Sequence, residues 1–194
     1  VPGTAVQSRM ARGGSPLSET YDTIVSKRDT RRFGDRPIPP DTLARLVQAA
    51  RMAGSAKAAQ PVRLVLVSDQ AQKERLAACG NFTPHIPTCQ VAVVFVLVPE
   101  AGVIGAPFAI FRGPFDAGRA AQNLMLAAWA EGIASCPASM HHAEQAAEVL
   151  GLPEGHVVAN VIALGYPADD PDPVLGTRPR LPATDYVHRN RWGE

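Results

Sequence analysis

The chain has 194 residues, of which 46% are hydrophobic, and its formal net charge at pH 7 is +1. This length and composition exclude a wholly disordered chain and favour one globular domain with a buried core. The small net charge argues against a nucleic-acid-binding protein, and no apolar run reaches the roughly 18 residues of a membrane span. We therefore predict neither a nucleic-acid nor a membrane partner.

The first third of the chain predicts two helices. Residues 1–16 are small, polar and rich in glycine, and we expect a flexible segment there, followed by one domain over residues 17–194. Apolar residues from Leu17 to Val25 recur at helical spacing. A second helix is predicted in residues 39–55, with an apolar face and a stop at Gly54.

The middle of the chain alternates strands and helices. Strands are predicted at residues 62–68, 90–98, 133–139 and 156–167. The strand at 90–98 is apolar throughout, which predicts cover on both faces. Helices are predicted at 70–80, 116–132 and 143–153, and that at 116–132 is apolar nearly all round, as in a central buried helix. Residues 99–115 are rich in Gly, Pro and Phe and show no regular period.

The residues after Pro167 are proline-rich and charged, yet they end in the aromatic residues Tyr186 and Trp192. Such a segment forms little regular structure by itself, whereas its aromatic side chains favour burial. An extended arm lying on another surface satisfies both properties.

The cysteines indicate a reducing compartment. Cys79, Cys89 and Cys136 are odd in number and include no C-x-x-C spacing, so we expect free, buried thiols. The start of the chain has no apolar signal core. We therefore predict a cytoplasmic protein.

Several familiar catalytic and binding motifs are absent from the sequence. It contains no G-x-x-x-x-G-K-[ST], no G-x-G-x-x-G, no H-E-x-x-H and no G-x-S-x-G. His141 and His142 are neighbours without a third ligand at metal spacing, which favours a solvated turn over a metal site. We predict no metal and no catalytic nucleophile.

A basic stretch is the strongest local signal. In "SKRDTRRFGDRPIPP", residues 26–40, five cations occupy ten positions: Lys27, Arg28, Arg31, Arg32 and Arg36. This density predicts a site for a small anion, because guanidinium groups donate paired hydrogen bonds to oxyanions. The alternative is a solvated helix end, where cations are favourable to the helix dipole.

Four stretches, in order, resemble the FMN-dependent nitroreductase family. The family's R-R-S-x-R-x-F motif, with its acidic residue and P-V/I-P turn, is similar to "KRDTRRFGDRPIP". Its A-P-S-x-x-N-x-Q-P-W motif is similar to "AGSAKAAQPV" at 53–62. "DAGRAAQNLMLAAWAEGIASCP" resembles its buried helix and following loop, and "IALGYP" with "VHRNRWGE" resembles its end. The resemblance covers about residues 20–194.

The resemblance implies an α+β fold with a mixed central β-sheet flanked by helices. It also implies a homodimer that exchanges its C-terminal arms and binds FMN at the interface between the two chains. On this interpretation the anion that the basic stretch binds is the FMN phosphate.

The resemblance assigns site residues position by position. Lys27 and Arg28 would contact the phosphate, Asp29 stands where the family has serine, and Arg31 would reach the flavin N1–C2 carbonyl edge. Residues near the ring or ribityl chain, from the other subunit, would be Ser55, Ala56 and Gln60. Asn81 would contact the ring edge. The loop whose backbone lies along the ring near N5 would be Pro137, Ala138 and Ser139. The tail would complete the phosphate clamp with Arg178 or Arg180.

The implied activity is reduction of nitroaromatic, quinone or similar electron-poor small molecules with NAD(P)H. In the expected two-step hydride mechanism, NAD(P)H reduces FMN and leaves, and the acceptor then takes its place. Two other interpretations remain open: a biosynthetic flavin dehydrogenase or oxidase, and a non-catalytic flavin-binding or storage protein.

The sequence departs from the family pattern at Asp29, Gly54, Ala58 and Val62, where the family has serine, proline, asparagine and tryptophan. The flavin-consuming 5,6-dimethylbenzimidazole synthases, which resemble the family, also have an aspartate like Asp29, although the remainder of the chain does not look like that group. Phe108, Phe111 and Phe115 lie where the family has a substrate lid, and they fit either a lid or ordinary core.

Overall fold

The structure is a computed structural model that describes residues 16–99, 106–170 and 179–193, without the side chains of 16–18 and 106–111. Its helices are α1 Pro16–Ser26, α2 Pro40–Arg51, α3 Gln70–Ala77, α4 Ala106–Ala130, α5 Ala143–Val149 and α6 Ala183–Tyr186. Its strands are β1 Val62–Val67, β2 Val91–Leu97, β3 Ala134–Ala138 and β4 Val157–Gly165. The predicted α+β class is confirmed.

The four strands form one sheet in the order β1-β2-β4-β3, and every neighbouring pair is antiparallel. The prediction of a mixed sheet is therefore wrong for the described strands. Among the described residues, parallel pairing is limited to an isolated bridge between Asp29, which lies outside the four strands, and Ser135 of β3. A helix between two strands allows the chain to return in either direction, so alternation in the sequence did not determine strand direction.

Both faces of the sheet are covered, as the apolar strand at 90–98 predicted. Val91, Val93 and Phe95 of β2 pack with α2 and α4 on one face. The alternate residues of β2, such as Val94, pack on the opposite face in a cluster with Leu76 of α3 and Ala146 of α5. The alternation follows from the two-residue period of a strand.

Helix α4 differs from its prediction in length and in how much of its surface is buried. It begins at Ala106 and not at Asp116, and it includes Pro114. Gly113 packs against Leu97, where an added Cβ would lie 3.2 Å from the leucine side chain. Packing against the sheet therefore favours helix where the local Gly and Pro content disfavours it. The helix is also not buried all round, because Gln122 and Asn123 are exposed.

The ends of the chain are described only in part. The predicted flexible segment 1–16 lies outside the described residues except for Pro16, which begins α1. In the tail, Tyr186 and Trp192 are 76% and 89% exposed, so the single chain does not bury them. Within the described residues, we find no helix with the length and apolarity needed to cross a membrane.

Candidate functional site

The first group of predicted site residues lies along β3, at one edge of the sheet. The chain that leaves α1 runs beside this strand, and the Thr30 N–H donates to the Ser135 carbonyl over 3.1 Å. This pairing satisfies some of the backbone N–H and C=O groups that an edge strand otherwise leaves unpaired. We call residues 27–31 together with β3 the β3 edge.

The charged side chains of the β3 edge lie close together. Lys27 Nζ forms an ion pair with Asp29 Oδ1 and lies 3.6 Å from Met125 Sδ of α4. Arg31 contacts the thiol of Cys136. Burial raises the pKa of this thiol, while its hydrogen bond with Arg31 acts in the opposite direction. Arg28 instead donates to the carbonyls of Val25 and Lys27 at 2.9 and 2.8 Å.

Small side chains form the rest of the β3 edge. Strand β3 reads Ala-Ser-Cys-Pro-Ala and continues into Ser139; Pro137 and Ser139 are exposed, whereas Ala138 is buried. The hydroxyl of Ser135 is buried and has no hydrogen-bond partner among the described residues. Buried hydroxyls are normally paired, so this one is a candidate donor or acceptor for a bound molecule.

Asn81 lies at the far end of β3, near Ser139. Its backbone N–H donates to Nδ1 of His141 over 3.1 Å. The neighbouring Gly80 lies close to the chain there, because an added Cβ would be 3.0 Å from the Ser139 carbonyl oxygen. The ring of Phe82, 70% exposed, packs edge-on against His141 with 5.8 Å between ring centroids. The structure thus brings Asn81 together with the loop that follows β3.

The second group, Ser55, Ala56 and Gln60, lies between α2 and β1, at the opposite edge of the sheet. The Gln60 N–H donates to Ser55 Oγ over 2.9 Å. Lys57, Ala58 and Gln60 all have positive φ, at 53°, 54° and 49°. Left-handed backbone is unfavourable for residues with a Cβ, and such strain concentrates at functional sites. We call residues 51–63 with the first half of α4 the β1 edge.

A cavity of about 350 Å³ opens at the β1 edge. Its lining includes Ser55 and Gln60, and also charged residues that sequence reasoning missed: Arg51, Arg63 and Asp116. Arg119 reaches over Gly54, where an added Cβ would lie 2.7 Å from Arg119 Nη2. This contact gives the departure at Gly54 a physical reason. The signal that could have pointed to this cluster was the opposite charges of Asp116 and Arg119, three residues apart in a predominantly apolar helix.

One chain does not bring all the predicted residues together. Strands β1 and β3 are separated by β2 and β4, so the two edges lie roughly 14 Å apart at about 4.8 Å per strand spacing. Arg180 lies in the exposed tail, and Arg178 lies outside the described residues. In the described part of the chain, no group of three His, Cys, Asp or Glu residues is arranged to hold a metal ion.

Of the predicted lid residues, only Phe115 has a described side chain, and it is 65% exposed. The side chains of Phe108 and Phe111 lie outside the described residues. An exposed Phe115 does not contribute to the core of a single chain, and it lies one residue before Asp116 of the β1 edge cavity.

Comparison with known proteins identifies relatives over most of the chain. The sequence model of the nitroreductase family matches residues 24–166. A putative NADH dehydrogenase/NAD(P)H nitroreductase from Archaeoglobus fulgidus is 28% identical over 180 residues, which cover 91% of this chain and 100% of the relative. The NADPH-flavin oxidoreductase of Vibrio harveyi is 29% identical over 187 residues, covering 92% of this chain and 76% of the relative.

The fold is similar to a solved structure as well. The NADPH:FMN oxidoreductase from Vibrio harveyi, complexed with NAD+, superposes with a TM-score of 0.79 at 29% identity. The match covers 90% of this chain and 78% of the other.

Proposed function

The chain belongs to the nitroreductase family, and from that premise we propose that it is an NAD(P)H-dependent FMN oxidoreductase acting as a homodimer. Its acceptors would be nitroaromatics, quinones or similar electron-poor small molecules. One arrangement supports this most directly: a cationic segment pairs with a strand of small residues, beside a buried hydroxyl with no partner among the described residues.

The residues of the β3 edge fit a flavin mononucleotide. Lys27 and Arg28 would hold the phosphate, with Arg178 or Arg180 of the tail. The small residues Pro137, Ala138 and Ser139 leave room for a flat ring, and the unpaired Ser135 hydroxyl offers a polar contact. Asn81 would contact the ring edge. A bound FMN would supply hydride transfer, from NAD(P)H to the ring and then to the acceptor.

Arg31 would stabilise negative charge at the N1–C2 carbonyl edge of the ring. A guanidinium keeps its charge at any ordinary pH, and a fixed cation favours the reduced, anionic form of a bound flavin. No side chain is required as a nucleophile. The chain's contribution is therefore to orient the ring and to exclude water from one of its faces.

The separation of the two edges supports a homodimer. If Ser55, Ala56 and Gln60 contact the same flavin as Arg31, they must come from a second copy, because within one chain they lie across the sheet. The exposed Tyr186 and Trp192 suit an arm that lies on that copy. Residues 17–194 would then form one FMN-binding unit, which acts in the cytoplasm.

An anaerobic titration tests the proposal. Purified protein with FMN should bleach on addition of NADH or NADPH and recover its colour with a quinone or nitroaromatic, as followed by absorbance. Full FMN occupancy without bleaching by either nucleotide would point to a dehydrogenase, an oxidase or a flavin-binding protein. Protein that binds no FMN would contradict every flavin-dependent interpretation.

Substitution of Arg31 tests the residue assignment. Arg31→Ala should weaken FMN binding about tenfold to a hundredfold, or lower the reduction potential of the bound flavin, because a charge-assisted hydrogen bond is lost. The matched control is Arg32→Ala, since Arg32 pairs at 2.8 Å with Asp170 and has the same charge. If Arg31→Ala has the same FMN affinity and the same flavin reduction potential as Arg32→Ala, the role given to Arg31 is contradicted.

A further inference from the structure

The cations at the β3 edge already have partners within the chain. Lys27 pairs with Asp29, and Arg28 donates to two backbone carbonyls at the end of α1. Arg31 contacts the Cys136 thiol. An incoming phosphate therefore meets a cationic segment whose charges are partly satisfied, and it has to replace some of these contacts.

Lys27 is the most buried of these cations. Its side chain is 10% exposed, whereas that of its partner Asp29 is 46% exposed. A lysine side chain with so little exposure loses part of the hydration of its charge, and a neighbouring carboxylate compensates for that loss. Lys27 Nζ also lies 3.6 Å from Met125 Sδ, but a thioether is only a weak acceptor. Among the described residues, Asp29 is thus the anion that neutralises Lys27.

We propose that Asp29 is a built-in competitor for the FMN phosphate at Lys27, and that it reduces the preference of the site for FMN over unphosphorylated flavin. This inference rests on the proposed function. Phosphate binding at Lys27 requires the carboxylate either to release the lysine or to remain beside a second anion. Both alternatives weaken phosphate binding, because like charges at short distance repel.

The backbone of Asp29 makes this competition difficult to avoid. Asp29 forms the bridge with Ser135, and the next residue, Thr30, donates its N–H to the Ser135 carbonyl. The Cα of Asp29 is therefore held against β3, and only its side chain has freedom to move away. A half-exposed side chain at a fixed backbone position can rotate toward solvent but cannot leave the site.

The test compares FMN and riboflavin binding in Asp29→Asn and in the unsubstituted protein. Flavin is removed first, and the fluorescence of added FMN or riboflavin is titrated. We expect Asp29→Asn to bind FMN about tenfold more tightly or better, while riboflavin affinity is unchanged. Asp35→Asn is the matched control, because it removes an exposed carboxylate from the same segment, and its affinities should not change.

Thermal unfolding supplies a second measurement. Without ligand, Asp29→Asn should melt at a lower temperature, because the charge of Lys27, whose side chain is largely buried, loses its partner. Added FMN should raise the melting temperature of the variant more than that of the unsubstituted protein, because tighter binding gives a larger shift. Asp29→Ser is the second variant if Asp29→Asn does not fold. The double variant Lys27→Met/Asp29→Asn should lose the gain in FMN affinity, since the two residues act through one contact.

Three results would overturn the inference and leave the proposed function intact. These are equal FMN affinity in the variant and the unsubstituted protein, weaker FMN binding in the variant, and an equal gain for FMN and riboflavin. The last result would mean that Asp29 acts on the ring or the ribityl chain. If no form of the protein binds FMN, the proposed function fails together with the inference.

Discussion

The two edges of the sheet hold different kinds of predicted binding residue. The β3 edge is ordered by backbone pairing: Thr30 bonds to Ser135, and charged side chains lie against a strand of small residues. The β1 edge is a loop with three left-handed residues beside an open cavity. At the β3 edge the charged side chains already have partners within the chain. At the β1 edge the cavity is open, and none of the described residues fills it.

On the proposed function, neither edge alone would form a complete FMN site. The β3 edge has cations but few groups that could cover the far side of a flat ligand. The β1 edge has a cavity of about 350 Å³ that includes Arg51 and Arg63 in a mostly apolar lining. The predicted phosphate ligands Lys27 and Arg28, however, lie across the sheet. Two copies of the chain, arranged so that unlike edges meet, would give two complete sites, as a two-fold axis requires.

The largest expected effect comes from hybrid dimers. One chain carries Arg31→Ala at the β3 edge, the other carries Ala56→Trp at the β1 edge, and each bears its own affinity tag. Either homodimer should retain much less FMN through purification than the unsubstituted protein, because both of its sites are weakened. The hybrid should recover one site per dimer, because the two intact edges meet there, whereas the other site has both substitutions. Bound flavin per dimer is measured by absorbance after tandem purification.

A hybrid of the Arg31→Ala chain with an unsubstituted chain is the control for this experiment, and it should also hold one flavin. If the doubly substituted hybrid holds no flavin while this control does, each site is built within one chain. That result would mean that the separation of the two edges does not support a homodimer.

A moderate effect is expected from relieving strain at the β1 edge. Ala58→Gly should stabilise the protein by about 0.5–1 kcal/mol, because Ala58 is exposed and its φ of 54° suits glycine. Urea unfolding measures the change. The control is Ala44→Gly on the exposed face of α2, where glycine should destabilise by about 1 kcal/mol. Destabilisation by Ala58→Gly would mean that this loop is not strained.

The smallest expected effect concerns an ion pair that connects α2, which precedes the β1 edge, to the turn before β3. Arg45 of α2 donates to Glu131, three residues before Ala134 at the start of β3, at 3.0 and 2.6 Å. The hydrogen bond from Arg45 holds the pKa of Glu131 below its usual value. The folded carboxylate thus binds its proton more weakly than the unfolded one, so the pair stabilises at neutral pH and this contribution disappears as the pH falls through the lowered pKa.

Glu131→Gln should therefore be slightly less stable than the unsubstituted protein at pH 7, and the difference should shrink toward pH 3, as measured by urea unfolding. The pair is largely exposed, so the effect is small. Glu154→Gln, in an exposed loop, is the control for the loss of one carboxylate. A difference that stays constant with pH would mean that Glu131 acts through packing and not through its charge.

Much of the molecule followed from local sequence. The apolar run at 90–98 predicted a strand covered on both faces. The predicted strand at 156–167 is present as β4, and the helices predicted to stop at Gly54 and Gly80 are present and end slightly earlier, at Arg51 and Ala77. Periodicity is a local property, because it reflects which side chains one element presents to the core. Motif order likewise identified the family, since its binding residues lie in short stretches of the chain.

Tertiary structure decided the features that depend on distant residues. Packing of Gly113 on Leu97 extended α4 past Pro114, and the antiparallel direction of the strands came from how the connections fold back. Only the folded chain placed Lys27 deep enough to need Asp29 as its partner, and only it put Asp116 and Arg119 beside Gly54. The physical reason is that periodicity and propensity act between neighbours along the chain. Burial, ion pairing and the separation of the two edges depend instead on positions in space, which a linear pattern does not contain.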